Sequence, residues 1–270
     1  MTALDATVTR PCVLVFAGLD PSGGAGIAAD LQAIAAQGAH ALTVVTALTV
    51  QDNDRVYDVQ PVDSGMVLCQ ALALTDKMSI SAVKIGIPGS AANALAIVDV
   101  ITRLRLQQPD LPVVLDPVLA SGHGDMLSRG DAVQALAPLL PLVTVLTPNE
   151  PEARALSGVS EPLLQAQVLR ACGCRHVLIT GGHGDGDDVV NRWFGPGAGS
   201  ALPLADQHEW NWLRLAGGFH GSGCTLASAI AGQLALGLPT AIALEAAQAY
   251  VYMALRDAYA IAPGQRIPLR

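Results

Sequence analysis

Short apolar runs rich in Val, Ile and Leu recur along the chain, at residues 12–17, 41–50, 82–87, 111–115, 142–146 and 176–180. Runs of this length, apolar at nearly every position, suit strands buried on both faces. Helix-period stretches lie between many of them. Ile27, Leu31 and Ile34 recur on one face, and Gly38 is placed to close that helix. Residues 91–104, 132–140 and 161–171 read as further helices. The alternation predicts an α/β fold with a mostly parallel central sheet and helices on both faces. Residues 185–212 break the pattern. Gly, Asp and Pro are dense there, with short extended pieces at 189–194 and 209–213, so one or two hairpins are expected at a sheet edge. Two helices, over about residues 222–236 and 240–258, finish the chain. With no internal repeat or linker, residues 1–270 read as a single domain with residues 1–10 as a flexible tail.

Composition narrows the class. Of 270 residues, 51% are hydrophobic, only 14% charged and 4% aromatic, as expected for buried strands covered by small-residue helices. The net charge of −8 argues against nonspecific nucleic-acid binding, yet leaves room for a nucleotide neutralised by a metal and backbone N–H groups. No run of eighteen apolar residues occurs, so no membrane span is expected. Five cysteines and a polar first ten residues point to a reducing cytoplasm. Cys172-Gly173-Cys174 has no second pair at zinc-finger spacing, and Asp185-Gly186-Asp187-Asp188 lacks the Glu of a calcium loop, so both read as plain turns.

Candidate chemistry concentrates where strands end. Gly221-Ser222-Gly223-Cys224 runs straight into Ala/Leu/Ile-rich sequence, which reads as a tight turn opening a buried helix. Free N–H groups and the helix dipole make such a turn an anion site. Cys224 in the first turn is expected to be drawn toward thiolate and to serve as nucleophile or base; the alternative is an inert buried cysteine behind a capping loop. After the first run comes a glycine-rich loop, residues 18–26, where Asp20 and Ser22 serve as turn residues or ligand contacts. Asp30, one turn into the next helix among alanines, needs a partner or a ligand. Gln51 offers a donor and an acceptor to a heterocycle edge. Asp116 follows the fourth run, and Asn149 and Glu152 stand three apart after the fifth. That pair suits Mg²⁺ held through water, or a capping box, and the two roles are compatible. No GxxxxGK[ST] or GxGxxG is present, so neither a P-loop nor a dinucleotide fold is supported.

Taken in order, Ala17-Gly18-Leu19-Asp20-Pro21-Ser22-Gly23-Gly24-Ala25-Gly26-Ile27, Thr46-Ala47-Leu48-Thr49-Val50-Gln51, Lys84-Ile85-Gly86, Asp116-Pro117-Val118, Thr147-Pro148-Asn149-Glu150-Pro151-Glu152-Ala153, Gly181-Gly182-His183 and His220-Gly221-Ser222-Gly223-Cys224-Thr225-Leu226 resemble the ribokinase-like small-molecule kinases. Within them the chain is similar to the hydroxymethylpyrimidine/phosphomethylpyrimidine kinases. The resemblance implies a three-layer α/β/α fold and ATP-dependent phosphorylation of the hydroxymethyl group of 4-amino-5-hydroxymethyl-2-methylpyrimidine. It extends to the monophosphate, in thiamine diphosphate biosynthesis. It implies that Gln51 binds the pyrimidine, with Gly18, Asp20, Asp30 and Val118 around it. Asn149, Glu152, Thr180 and Gly182 would bind ATP, and Asp116 and Glu152 would hold Mg²⁺, partly through water. Gly221, Ser222, Gly223 and Cys224 would carry the catalysis. Cysteine at 224, where sugar kinases carry Asp, favours a pyrimidine over a sugar. The family pattern often has Met at 87, Lys at 180 and Lys or Ser after Val118. This chain has Ile87-Pro88, Thr180 and Leu119-Ala120-Ser121-Gly122-His123-Gly124, and so loses cations near the phosphates. A cytoplasmic homodimer is expected, with no nucleic-acid or membrane partner. The alternatives are a pyridoxal or pyridoxine kinase on the same scaffold and a non-catalytic pyrimidine-binding regulator.

Overall fold

Strands apolar on both sides must be covered on both sides, and this chain folds accordingly. The computed structural model describes residues 9–120, 131–184, 186–196 and 206–270. In chain order the elements are β1 (Cys12–Leu19), α1 (Gly26–Ala36), β2 (His40–Gln51), β3 (Val56–Pro61), α2 (Ser64–Thr75), β4 (Ile80–Ile85), α3 (Ala91–Gln107), β5 (Val113–Leu115), α4 (Ala132–Leu136), β6 (Val145–Leu146), α5 (Glu150–Ser157), α6 (Pro162–Ala171), β7 (His176–Ile179), β8 (Asp188–Gly195), β9 (Asp206–Leu213), α7 (Ser222–Ala235) and α8 (Thr240–Arg256). They build one nine-stranded sheet in the order β3-β2-β1-β4-β5-β6-β7-β8-β9. The six strands from β2 to β7 are parallel, while β3 at one edge and β8 and β9 at the other run antiparallel to their neighbours.

Side-chain alternation along β1 divides the core. Leu14 and Phe16 enter a layer with Ile97, Leu136, Ala153 and Leu169 from α3, α4, α5 and α6. Val13 and Val15 enter the opposite layer with Ile34, Ile230 and Leu244 from α1, α7 and α8. Three layers result. The carboxyl ends of the parallel strands share one edge, where Gly18, Gln51, Asp116, Asn149 and Thr180 emerge.

Local expectations shift in four places. Leu31 does not join the buried stripe of α1; it is 41% exposed, and Asp30 occupies the inner position between Ile27 and Ile34. The helix expected over 132–140 stops at Leu136, because Pro138 would clash with the carbonyl four residues back; a 3₁₀ turn at Leu140–Leu142 follows. Helix α2 and strand β3 were absent from the pattern. Asp63 starts α2 by accepting a hydrogen bond from Met66 N, while β3 is half exposed and carries polar residues at 58 and 60. The edge hairpin is β8–β9, paired from Asp188↔Leu213 to Gly195↔Asp206. Residues 1–8 of the expected tail, residues 121–124 and Asp185 lie outside the described residues. Among the described residues no helix is long and apolar enough to cross a membrane.

Candidate active site

Two loops from opposite ends of the sequence meet at the sheet edge. β1 leads into Asp20, whose buried carboxylate accepts from Ser22 N at 2.8 Å, Ser22 Oγ at 2.9 Å, Ala25 N at 2.7 Å and His220 Nε2 at 2.8 Å. Burial works to raise its pKa, but the bonds from His220 and Ser22 hold it below the ordinary value. The loop closes tightly. Gly26 has φ +54°, and a Cβ there would sit 2.2 Å from Gly18 O. Gly221 has φ +79°, and a Cβ there would sit 2.0 Å from Gly24 O. Only glycine satisfies both the left-handed backbone and the contact. Gly221 is the N-cap of α7 and has no side-chain cap bond, so the first-turn N–H groups are left for a ligand.

A cavity of about 370 Å³ opens over this turn. It brings together Gly18, Gln51, Asp116, Val118, Asn149, Glu152, Thr180, Gly182, Gly221, Ser222, Gly223 and Cys224 from the sequence expectation. Gln51 Nε2 donates to Thr49 Oγ1 at 2.7 Å, and Thr49 Oγ1 donates to Leu19 O at 2.9 Å, which fixes the amide at the end of β2. Asp20 and Asp30 do not line this cavity. Asp20 organises the loop behind it, and Asp30 is wholly buried.

Asp30 instead explains a residue that pattern reading left without a role. Lys84 lies in the floor of the cavity, 0% exposed, with Nζ 2.9 and 3.0 Å from the two oxygens of Asp30. Ser228 Oγ donates to the same carboxylate at 2.6 Å. Burial would strip the ammonium of its proton; the charge of Asp30, with Asp116 beyond it, outweighs that and holds Lys84 protonated. A lysine inside the otherwise apolar strand 80–85 was the signal, since such a residue needs a buried counter-charge.

Facing Lys84 are an acid pair and the thiol. Burial pushes Asp116 up to about 6 against the pull of Lys84. Its Oδ2 is buried without a hydrogen-bond partner among the described residues, and Gly223 at the head of α7 is close: a Cβ there would lie 3.6 Å from both oxygens. Burial and the charge of Asp116 push Glu152 up to about 8. Glu152 Oε2 accepts from Asn149 N, and Asn149 Oδ1 accepts from Glu152 N, both at 2.9 Å; this is the capping box of α5. An orphaned carboxylate oxygen and two acids that disfavour each other's charge fit a divalent cation. The expectation for Cys224 is corrected. Burial pushes the thiol up to about 12, and the charge of Lys84 does not offset the loss of solvent.

A second cavity shares Gly182, His183 and Ser222 with the first and is walled by Trp212, Gln248, Val251, Tyr252 and Leu255. The Trp212 and Tyr252 rings stand 5.3 Å apart. Gln248 is tied down by Asn191 Nδ2 at 2.8 Å, and Asn191 Oδ1 accepts from Gly181 N at 3.1 Å. Sequence reading missed this chamber because its aromatic residues are scattered over β9 and α8.

A parallel sheet covered on both faces, with a helix-opening glycine turn beside a buried acid pair, defines a small-molecule kinase scaffold. Residues 20–268 match the family described as phosphomethylpyrimidine kinase. The hydroxymethylpyrimidine/phosphomethylpyrimidine kinase of Streptomyces coelicolor is 37% identical, covering 98% of this chain and 96% of its own length. The solved phosphomethylpyrimidine kinase of Clostridium difficile 630 superposes with a TM-score of 0.74 at 30% identity, over 90% of this chain and 98% of that one. An ADP complex of Bacillus subtilis pyridoxal kinase superposes with a TM-score of 0.83 at 26% identity, over 96% and 97%. The chain belongs to the phosphomethylpyrimidine kinase family.

Proposed function

We propose that residues 1–270 work as a single kinase domain that phosphorylates the hydroxymethyl group of 4-amino-5-hydroxymethyl-2-methylpyrimidine with ATP, and then its monophosphate, in thiamine diphosphate biosynthesis. The observation that carries the reading is a pair of neighbouring cavities that share Gly182, His183 and Ser222: the first holds Gln51 and the α7 turn, the second Trp212 and Tyr252. Gln51 reads the ring edge, with Gly18 and Val118 beside it. The chamber of Trp212 and Tyr252 receives the nucleotide base. Its phosphates pass Thr180, Gly182 and Asn149 toward Ser222 and Gly223.

Phosphoryl transfer asks for in-line positioning and charge stabilisation more than for a strong base. The first-turn N–H groups of α7 donate to the oxygens of the transferring group, and the low-dielectric surroundings strengthen these bonds. Lys84, held charged by Asp30, adds a fixed positive charge to the floor. Cys224 keeps its proton in the free site, so it orients the substrate hydroxyl; with a loose transition state the hydroxyl proton leaves late and passes to an oxygen of the transferred phosphoryl group. Asp116 and Glu152 would hold Mg²⁺, partly through water, and the ion would neutralise the ATP phosphates. The buried acids and the unpartnered Asp116 Oδ2 support that assignment. We further propose a cytoplasmic homodimer. Leu48, Val50 and Tyr57 lie 49–66% exposed on the β2–β3 edge, and a second copy would cover them.

The likeness to a pyridoxal kinase gives a second reading, phosphorylation of a pyridine methanol. One experiment separates the two. ADP release is measured with Mg-ATP and either the pyrimidine alcohol or pyridoxal, and the products are resolved by mass. The pyrimidine alcohol is expected to be turned over with the higher kcat/KM. A preference for pyridoxal overturns the first reading, and release with neither overturns both.

A further inference from the structure

The turn that opens α7 has no side-chain cap of its own, yet its backbone is gripped from residue 270. Arg270 Nε donates to Thr225 Oγ1 at 2.8 Å, and Nη2 donates to Gly24 O at 2.5 Å and to Gly221 O at 3.4 Å. Thr225 Oγ1 passes the grip on by donating to Gly221 O at 2.7 Å. The arginine is delivered by the segment after α8. Ile267 pairs with Tyr259, and Arg266 O accepts from His220 N at 2.9 Å.

Three features mark more than a structural clamp. A cation at a helix N-terminus opposes the helix dipole and disfavours the helix unless an anion sits there too. Among the described residues no carboxylate stands within ion-pair distance of this guanidinium. Its Nη1 is buried and has no hydrogen-bond partner among the described residues. The free site thus holds an uncompensated positive charge that a negative group would neutralise. The geometry also aims a donor. The chain has no cis peptide among its described residues, so Ser222 N–H points opposite to Gly221 C=O across a rigid plane. The Gly221 carbonyl is held by Thr225 N at 3.0 Å, by Thr225 Oγ1 and by Arg270, which fixes the opposite-facing N–H of Ser222, a residue that lines the cavity.

We propose that Arg270 is a positioning residue for phosphoryl transfer: it fixes the Gly221–Ser222 peptide in its donating orientation and keeps a positive charge behind the turn. The inference rests on the kinase reading above. Arg270 lies beyond residues 20–268, the span matched by the family, so the family match does not assign it.

The test compares wild type, Arg270→Ala and Arg270→Lys in one ADP-release assay with the pyrimidine alcohol, corrected for folded protein by thermal melting. Preorganised donors are worth about 10²–10³ in kcat, so Arg270→Ala is expected to lose about 30- to 100-fold in kcat while the pyrimidine KM stays within about threefold. Lys keeps the charge but lacks the fork that spans Thr225, Gly24 and Gly221, so Arg270→Lys should melt like wild type and lose about tenfold in kcat. Millimolar guanidinium should restore part of the kcat of Arg270→Ala and leave wild type unchanged, which a purely structural role would not produce. Wild-type kcat in both variants, or a rise in KM without a fall in kcat, overturns the inference. If Arg270→Ala does not fold, Arg270→Lys decides, and wild-type kcat there overturns it. An inactive wild type overturns the kinase reading and this inference together; an active wild type with equally active variants overturns only the inference.

Discussion

In the free site the Cys224 thiol keeps its proton, because desolvation outweighs the nearby ammonium of Lys84. A group that orients a hydroxyl is replaced better by another hydroxyl than by a methyl. Cys224→Ser is therefore expected to lose about tenfold in kcat and Cys224→Ala about 10²-fold or more, with the pyrimidine KM nearly unchanged in both. Equal loss in the two variants would return the thiol to the role of proton acceptor. Glu152 makes a different prediction, readable without activity. Its folded pKa of about 8 lies above the ordinary 4.5, so the native state binds an extra proton between those values. Stability contributed by this group is full below the lower value and falls as pH rises toward the upper one. Asp116, raised from 3.8 to about 6, acts in the same direction. The free protein should melt progressively lower from pH 5 to pH 8, and Mg²⁺ should raise the melting temperature more at pH 8 than at pH 5. Glu152→Gln should flatten both trends. A melting temperature independent of Mg²⁺ at pH 8 would remove Glu152 and Asp116 from the metal site.

Between residues and fold stand the caps and turns. Asn149→Ala breaks the capping box of α5 and is expected to cost about 1 kcal/mol in urea unfolding. It should also weaken ATP binding, since Asn149 lines the cavity; a stability loss with an unchanged ATP KM would leave it a cap alone. Gly221→Ala is more severe. It places a Cβ against Gly24 O in a left-handed backbone, strain of about 1–3 kcal/mol. The α7 turn must shift, so kcat should collapse while the sheet survives by circular dichroism. The same scale shows what the sequence could reveal. Both glycine loops, the strand ends that carry Gln51, Asp116 and Asn149, and the edge hairpin were legible, because glycine spacing and unbroken apolar runs are local signals. Strand β3 was not, since a half-exposed edge strand carries polar residues. That Asp30 needs a partner was legible from its apolar neighbours, but the partner itself was not, because Lys84 lies 54 residues away. The thiol pKa depended on solvent exclusion, which sequence does not report.

At the scale of the whole molecule, Asp30, Lys84 and Ser228 tie α1 and α7 to β4 on one face of the sheet. Removing one partner of a buried ion pair strands the other, at a cost of about 3–5 kcal/mol. Lys84→Met alone should therefore unfold at markedly lower urea. Pairing it with Asp30→Leu should recover most of the stability without the activity, because the floor of the cavity has lost its charge. If the double variant is no more stable than the single, the pair is not the source of the loss. The segment after α8 has a consequence in time as well as space. Asn53 Nδ2, near the turn after β2, donates to the carbonyls of Pro263 and Gln265, and His220 hangs on Arg266. Synthesis reaches these residues only after every strand has been made. A nascent chain can assemble its sheet on the ribosome and still lack the strap that steadies its phosphate-binding turn. Translation itself thus becomes the last checkpoint, and a chain stalled short of residue 259 should be folded yet silent.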